Sequence, residues 1–132
     1  PLSIQTPEAG PEFYAPQTFL DHKKRRIIIG WMYSWGKKPD EGADFAGALS
    51  IPREITISEG KILTFPVEEA RSLLLDTDKL VTVEKNKVHI NVGDIPLIYS
   101  CQSIEDIKIL RDTKTLEVFI NHGEASFTAW FA

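Results

Sequence analysis

Phe13-Tyr14-Ala15-Pro16-Gln17-Thr18-Phe19-Leu20, the polar link Asp21-His22-Lys23-Lys24-Arg25, and then Arg26-Ile27-Ile28-Ile29-Gly30-Trp31-Met32-Tyr33-Ser34 form the stretch that sets the fold. Aromatic and β-branched runs on either side of a short charged segment read as a β-hairpin. Pro16 breaks the first run. A longer loop follows from Gly36 to Gly42, carrying Pro39 and two glycines. Gly47 to Ser58 reads as a third strand interrupted by Pro52, and the Glu59-Gly60 turn leads into a fourth, Lys61 to Phe65. Four consecutive antiparallel runs of this length make one up-and-down sheet, the unit of a propeller blade.

The period changes at Pro66. Val67, Ala70 and Leu74 recur at helical spacing, with a proline at the first turn and Glu68 and Glu69 behind it, as a helix N-terminus prefers. Beyond Asp76 the alternation returns. Val81 and Val83 share a face, Glu84-Lys85-Asn86-Lys87 turns, and Val88, Ile90 and Val92 continue an apolar face. Ile95–Ser100 reads as buried. Ile107 and Ile109 precede the Asp112-Thr113-Lys114 turn. Leu116, Val118 and Ile120 then alternate with Glu117 and Phe119, and Asn121-His122-Gly123 reverses into Ala125–Phe131. About six short strands at this spacing indicate a sandwich. The expected fold is all-β: a four-stranded blade-like antiparallel sheet over 1–65, a helical linker over 66–76 and a reduced β-sandwich over 77–132.

The chain has 132 residues, 42% of them hydrophobic and 26% charged, enough apolar material for a real core. No apolar run is long enough to span a bilayer. With a net charge of −4 and scattered basic residues, neither a nucleic acid nor an anionic membrane is an expected partner. Pro1–Gly10 shows no signal-peptide pattern, and the single cysteine, Cys101, suits a reducing compartment, so a cytoplasmic location is expected. His22, His89 and His122 lie far apart and none is at ligand spacing from Cys101; neither a metal nor a cofactor is expected.

Nucleophilic catalysis finds no support. There is no G-x-S-x-G elbow and no phosphate-binding glycine loop, and Cys101 has no histidine near it in sequence. Most of the nineteen acids fall in turns or on outward faces, whereas Glu12 and Glu54 sit beside apolar strand residues. Aromatic residues crowd the first half: Phe13, Tyr14, Phe19, Trp31, Tyr33, Trp35, Phe45 and Phe65. Core packing accounts for most of them, but such rings also serve as platforms for the C–H faces of sugars.

Four words occur in order: Phe13-Tyr14-Ala15-Pro16-Gln17-Thr18-Phe19, Arg25-Arg26-Ile27-Ile28-Ile29-Gly30-Trp31-Met32, Ala46-Gly47-Ala48-Leu49-Ser50-Ile51-Pro52-Arg53-Glu54 and Pro66-Val67-Glu68-Glu69. They resemble the last propeller blade of glycoside hydrolase family 32, the β-fructofuranosidases and sucrose-6-phosphate hydrolases. Leu116-Glu117-Val118-Phe119-Ile120-Asn121-His122-Gly123-Glu124-Ala125 is similar to closing hairpins of that family's C-terminal sandwich. There are departures: Phe45 stands where the family commonly has Trp, and Glu12 where an Asp is expected.

The resemblance implies a retaining glycosidase acting on β-fructosides, with an Asp nucleophile in a Trp-Met-Asn-Asp-Pro word, a second Asp in an Arg-Asp-Pro word, and an acid/base Glu before a Cys. None of these words is in the chain, and Arg111-Asp112-Thr113 falls in a sandwich turn. The chain is thus expected to be a C-terminal piece of such an enzyme, inactive alone and without catalytic residues. Trp31, Tyr14 and Gln17 are the candidate substrate-wall residues, and Arg53 and Glu54 a structural ion pair or brace. The implied partners are a fructosyl-containing sugar and the rest of the parent catalytic domain, with a homodimer expected for the isolated chain. Lys23-Lys24-Arg25-Arg26 reads as a solvated turn. The rival reading is a non-catalytic carbohydrate-binding or dimerisation module.

Overall fold

The computed structural model describes residues 4–33, 35–36 and 41–131. The chain is all-β, built as a blade-like sheet, a short helical turn and a small sandwich. The first sheet contains β1 (Tyr14–Leu20), β2 (Arg26–Met32), β3 (Ala48–Leu49), β4 (Arg53–Ser58) and β5 (Lys61–Pro66). Its order is β1-β2-β4-β5, with β3 pairing β2, and every pairing is antiparallel.

Local chemistry explains the breaks. In the β1–β2 link, Asp21 Oδ1 accepts bonds from the Lys23 and Arg25 amides at 2.9 and 2.8 Å, and Lys24 takes φ 61°. The aspartate replaces the ladder where the chain reverses. The third run, read from sequence as one strand, is two. Ser50 is buried and binds Gly30 through its hydroxyl and its amide, while Pro52 has no N–H to give the ladder. The chain therefore steps sideways between β3 and β4, adding a short fifth strand to the expected four.

Pro66 closes β5 rather than opening a helix. The helical turn is a 3₁₀ segment, Glu68–Leu73, entered as the Val67 amide bonds to Pro52 O at 3.0 Å. Val67 and Ala70 pack on Ile27, with Ile29 and Ile51 beside them, so the turn covers one end of one face of the blade-like sheet.

The remaining strands form two three-stranded antiparallel sheets. One is β6 (Val81–Glu84), β7 (Lys87–Ile90) and β8 (Leu97–Ser100); the other, in order β11-β10-β9, is β9 (Ile107–Arg111), β10 (Thr115–Ile120) and β11 (Ala125–Trp130). Val88 and Ile90 meet Ile109, Leu116, Val118, Ile120 and Phe127 in the main core. All six residues of β10 are buried. Its odd-facing set, Glu117 and Phe119, meets the blade instead: Glu117 reaches Arg53 and Phe119 stacks edge-on with Phe65. The β9–β11 sheet is therefore a middle layer with both faces covered.

Gly123 ties these layers together. Its carbonyl accepts the Thr64 amide at 3.1 Å, and a Cβ there would stand 2.2 Å from Thr64 O. With φ +90° as well, the position requires glycine.

Candidate functional site

Tyr14 and Gln17 are three residues apart, which in a regular strand would place them on opposite faces. A bulge brings them together. Ala15 takes φ 46°, and the register passes from Tyr14↔Trp31 to Gln17↔Ile29. Two residues of β1 thus oppose one of β2. Ile29 and Trp31 share a face, so Tyr14, Gln17 and Trp31 do as well. Ile27 also lies on this face, under the 3₁₀ turn, while the Trp31 end is open.

Four rings gather at the open end. Trp31 stacks on Tyr33 with centroids 4.6 Å apart and planes 17° from parallel. Trp35 presents T-shaped contacts to Tyr14, Trp31 and Tyr33 at 5.5, 6.0 and 5.0 Å. Offset and edge-on ring pairs of this kind hold one another in place. The indole N–H of Trp31 donates to Ala46 O at 3.1 Å. Gly47, at φ +80°, lets that loop approach; a Cβ there would lie 2.5 Å from the indole nitrogen. Trp31 is therefore fixed by neighbours on β1, just after β2 and in the loop before β3. Trp35 is 68% exposed and Tyr14 55%, and Gln17 is exposed too. The result is an aromatic platform of four mutually packed rings, with the Gln17 amide on the same face.

Arg53 stands apart from this platform and makes no pair with Glu54. Successive side chains on a strand point to opposite faces, and Glu54 lies in register with Ile27 and Phe65. Arg53, fully buried, donates instead to Glu8 at 2.6 Å, Glu117 at 2.7 Å and the Thr128 hydroxyl at 2.7 Å. Its guanidinium carbon lies 4.7 Å from the Phe13 centroid and 4.8 Å from that of Phe119. Glu117 also accepts the Ile51 amide at 3.1 Å. Burial pushes its carboxyl above the ordinary value, against the pull of Arg53 and Ile51, and the neighbouring Glu8 charge adds to the rise. Arg53 thus links the blade-like sheet to the sandwich, and Glu54 takes no part in that contact. Glu8, Glu117 and Thr128 carried no sequence signal, since their significance arises only when β4 meets β10 and β11.

The basic turn is engaged as well. Lys23 and Arg25 grip Glu69 of the 3₁₀ turn at 2.8 and 3.0 Å, and Arg25 also binds Asp21. Arg111, the near miss to a catalytic word, holds Asp78 at 2.7 Å and lies over Phe131.

The chain is thus an all-β module in which a blade-like sheet sits on a small sandwich, with an aromatic platform at one end of that sheet. Residues 2–66 match the family model "Glycosyl hydrolases family 32 N-terminal domain". Sucrose-6-phosphate hydrolase of Escherichia coli is 46% identical over 65 residues, covering 48% of this chain and 14% of that protein. Raffinose invertase of Escherichia coli is 37% identical over 100 residues, covering 73% of this chain and 21% of its own. The GH32 β-fructofuranosidase of Bombyx mori superposes with a TM-score of 0.73 at 19% identity, over 96% of this chain and 37% of that one. The chain belongs to glycosyl hydrolase family 32. It spans only a small part of the length of the curated relatives it matches.

Proposed function

We propose that this chain is the wall-and-brace portion of a retaining β-fructosidase, one that hydrolyses sucrose, sucrose 6-phosphate or a fructan. The carboxylate nucleophile and the acid/base glutamate of that mechanism come from sequence outside these residues. Trp31 offers its ring system to the fructosyl unit, and Tyr14 and Gln17 offer a hydroxyl and an amide to sugar hydroxyls. The observation that carries this reading is the β1 bulge, which gathers those three side chains on one face beside an ordered ring cluster. Arg53 works at a distance, keeping the wall aligned with the sandwich.

The test has two arms. The 132-residue chain alone is expected to release no fructose from sucrose or sucrose 6-phosphate. Fructose release abolished by a single substitution within the chain would overturn the reading. In the intact enzyme, Trp31→Ala is expected to raise KM about tenfold, the scale of one lost ring contact, with little change in the unfolding midpoint. Wild-type kinetics, or simple unfolding, would make Trp31 a packing residue.

The alternative is a carbohydrate-binding module without a catalytic parent. The exposure of Trp35 and Phe45 favours it. Tryptophan fluorescence of the isolated chain titrated with sucrose separates the two: the wall reading expects no saturable response without the rest of the enzyme.

A further inference from the structure

In the blade-like sheet β5 is an edge strand, and in the middle sheet β11 is one. Unpaired edges attract other chains unless something covers them. Here the two edges lie side by side, and residues 5–12 run along both.

The Gln5 side-chain amide behaves as a strand residue towards β5. It accepts the Ile62 amide at 2.8 Å and donates to Gly60 O at 2.7 Å. Pro7 O accepts the Thr64 hydroxyl at 3.0 Å. The segment then crosses to β11. The Ala9 amide donates to Ser126 O at 2.9 Å, Gly10 lies against the Thr128 backbone, and Glu12 accepts the Trp130 amide. Contacts at Ser126, Thr128 and Trp130 ascend as the segment ascends from 9 to 12, so it lies parallel to β11. Glu8 projects inward between the two edges to Arg53 and is nearly sealed, 6% exposed. Gly10 fits because a Cβ would stand 2.4 Å from Thr128 N.

A domain receives an extended peptide on a sheet edge in a related way, and here one backbone bond, Ala9 to Ser126, is joined by side-chain bonds along both edges and one buried side-chain anchor, Glu8. We propose that the groove between the β5 and β11 edges is a strand-accepting site for an extended peptide of pattern Gln-x-Pro-Glu-x-Gly-x-Glu. Residues 5–12 fill it in cis, and the same peptide binds in trans once the covalent link is cut. Specificity comes from the Glu8 carboxylate on Arg53, the absent side chain at Gly10 and the Gln5 amide.

The experiment nicks the folded chain at a protease site inserted between Glu12 and Phe13. Native mass spectrometry then follows the 12-residue piece, and a labelled synthetic peptide of residues 1–12 is offered to the emptied groove. The released piece is expected to stay bound and then exchange saturably with the labelled peptide. Glu8→Gln in that peptide should weaken binding roughly 100-fold, because Arg53 loses a buried charged partner. A synthetic Gln5→Ala peptide, altered only at the exposed end, should bind several-fold more weakly, and a scrambled peptide not at all. Immediate loss of the piece, or a Glu8→Gln or scrambled peptide that binds as tightly as the native one, would overturn the proposal. Collapse of the nicked chain that added peptide does not reverse would also overturn it.

Discussion

Arg53 Nη2 lies 2.7 Å from Glu117 Oε1, and this contact crosses the boundary between the blade-like sheet and the sandwich. Both side chains are almost wholly sealed from solvent, at 0% and 5% exposure. Glu8 adds a second carboxylate to the same guanidinium, at 2.6 Å. One cation thus serves two acids; burial pushes the Glu117 carboxyl up, and the Glu8 charge adds to the rise. A buried ion pair adds little net stability compared with apolar packing, but it is costly to break from one side.

Arg53→Leu should therefore destabilise the chain by about 3–5 kcal/mol, because it strands two buried carboxylates. The triple change Arg53→Leu, Glu8→Gln, Glu117→Gln should recover a large part of that loss. Urea unfolding of the single and triple variants checks both. A single variant as stable as wild type would remove Arg53 from its role as a brace.

Gly123 and Gly60 make a controlled pair. Both take positive φ, +90° and +76°, but a Cβ at Gly123 would meet Thr64 backbone whereas one at Gly60 would meet open space. Gly60→Ala should cost only the backbone term, roughly 1 kcal/mol. Gly123→Ala should cost about 3 kcal/mol or more, since the β10–β11 hairpin must leave β5. Thermal unfolding of the two variants side by side tests the difference, and equal costs would contradict the close contact.

Acid should loosen the 3₁₀ turn. Hydrogen bonds from Lys23 and Arg25 hold the Glu69 carboxyl down at about 2, below its ordinary 4.5. A depressed carboxylate pKa gives stability that is present above the ordinary value and lost as pH falls through the folded one. The Glu69 contribution should thus fade between pH 4.5 and about 2. Because Lys23 and Glu69 are half exposed, added salt should shrink it as well. The gap in urea midpoint between wild type and Glu69→Gln should be open at neutral pH and closed near the acid limit. A gap independent of pH would show that Glu69 acts through packing alone.

The hairpins and the two-part organisation were legible in sequence because alternation and turn chemistry are local. The Asp21 turn, the Asn121-His122-Gly123 reversal and the β6–β7 hairpin all announce themselves within a few residues. The split at Ser50-Ile51-Pro52 was half visible: Pro52 marked an interruption, but the sideways step depends on Gly30 across the sheet. The shared face of Tyr14 and Gln17 was hidden, since strict alternation separates them and only the bulge reunites them. The partners of Arg53 were hidden more deeply. Glu117 alternates with Leu116 and Val118 as a solvent-facing residue would, and only the second layer on β10 reveals that both its faces are inside.

The last expectation concerns association. All seven residues of β1 are exposed, and β1 is the terminal strand of its sheet. Leu20 is 59% exposed and Phe19 46%, and they point to opposite faces of that edge. An exposed edge strand flanked by apolar side chains is a template for another strand. In the isolated chain we expect a second copy to fill it, β1 against β1, because a two-fold axis lets one surface satisfy itself. Pro16 has no N–H, so the pairing should run over Gln17–Leu20. Sedimentation should then give a concentration-dependent dimer. Phe19→Lys or Leu20→Lys should shift it to monomer without lowering the unfolding midpoint, since neither side chain is in the core. A wild-type chain that stays monomeric at high concentration would show that β1 tolerates solvent on its free edge. Dimers that survive both substitutions would place the contact elsewhere on the surface.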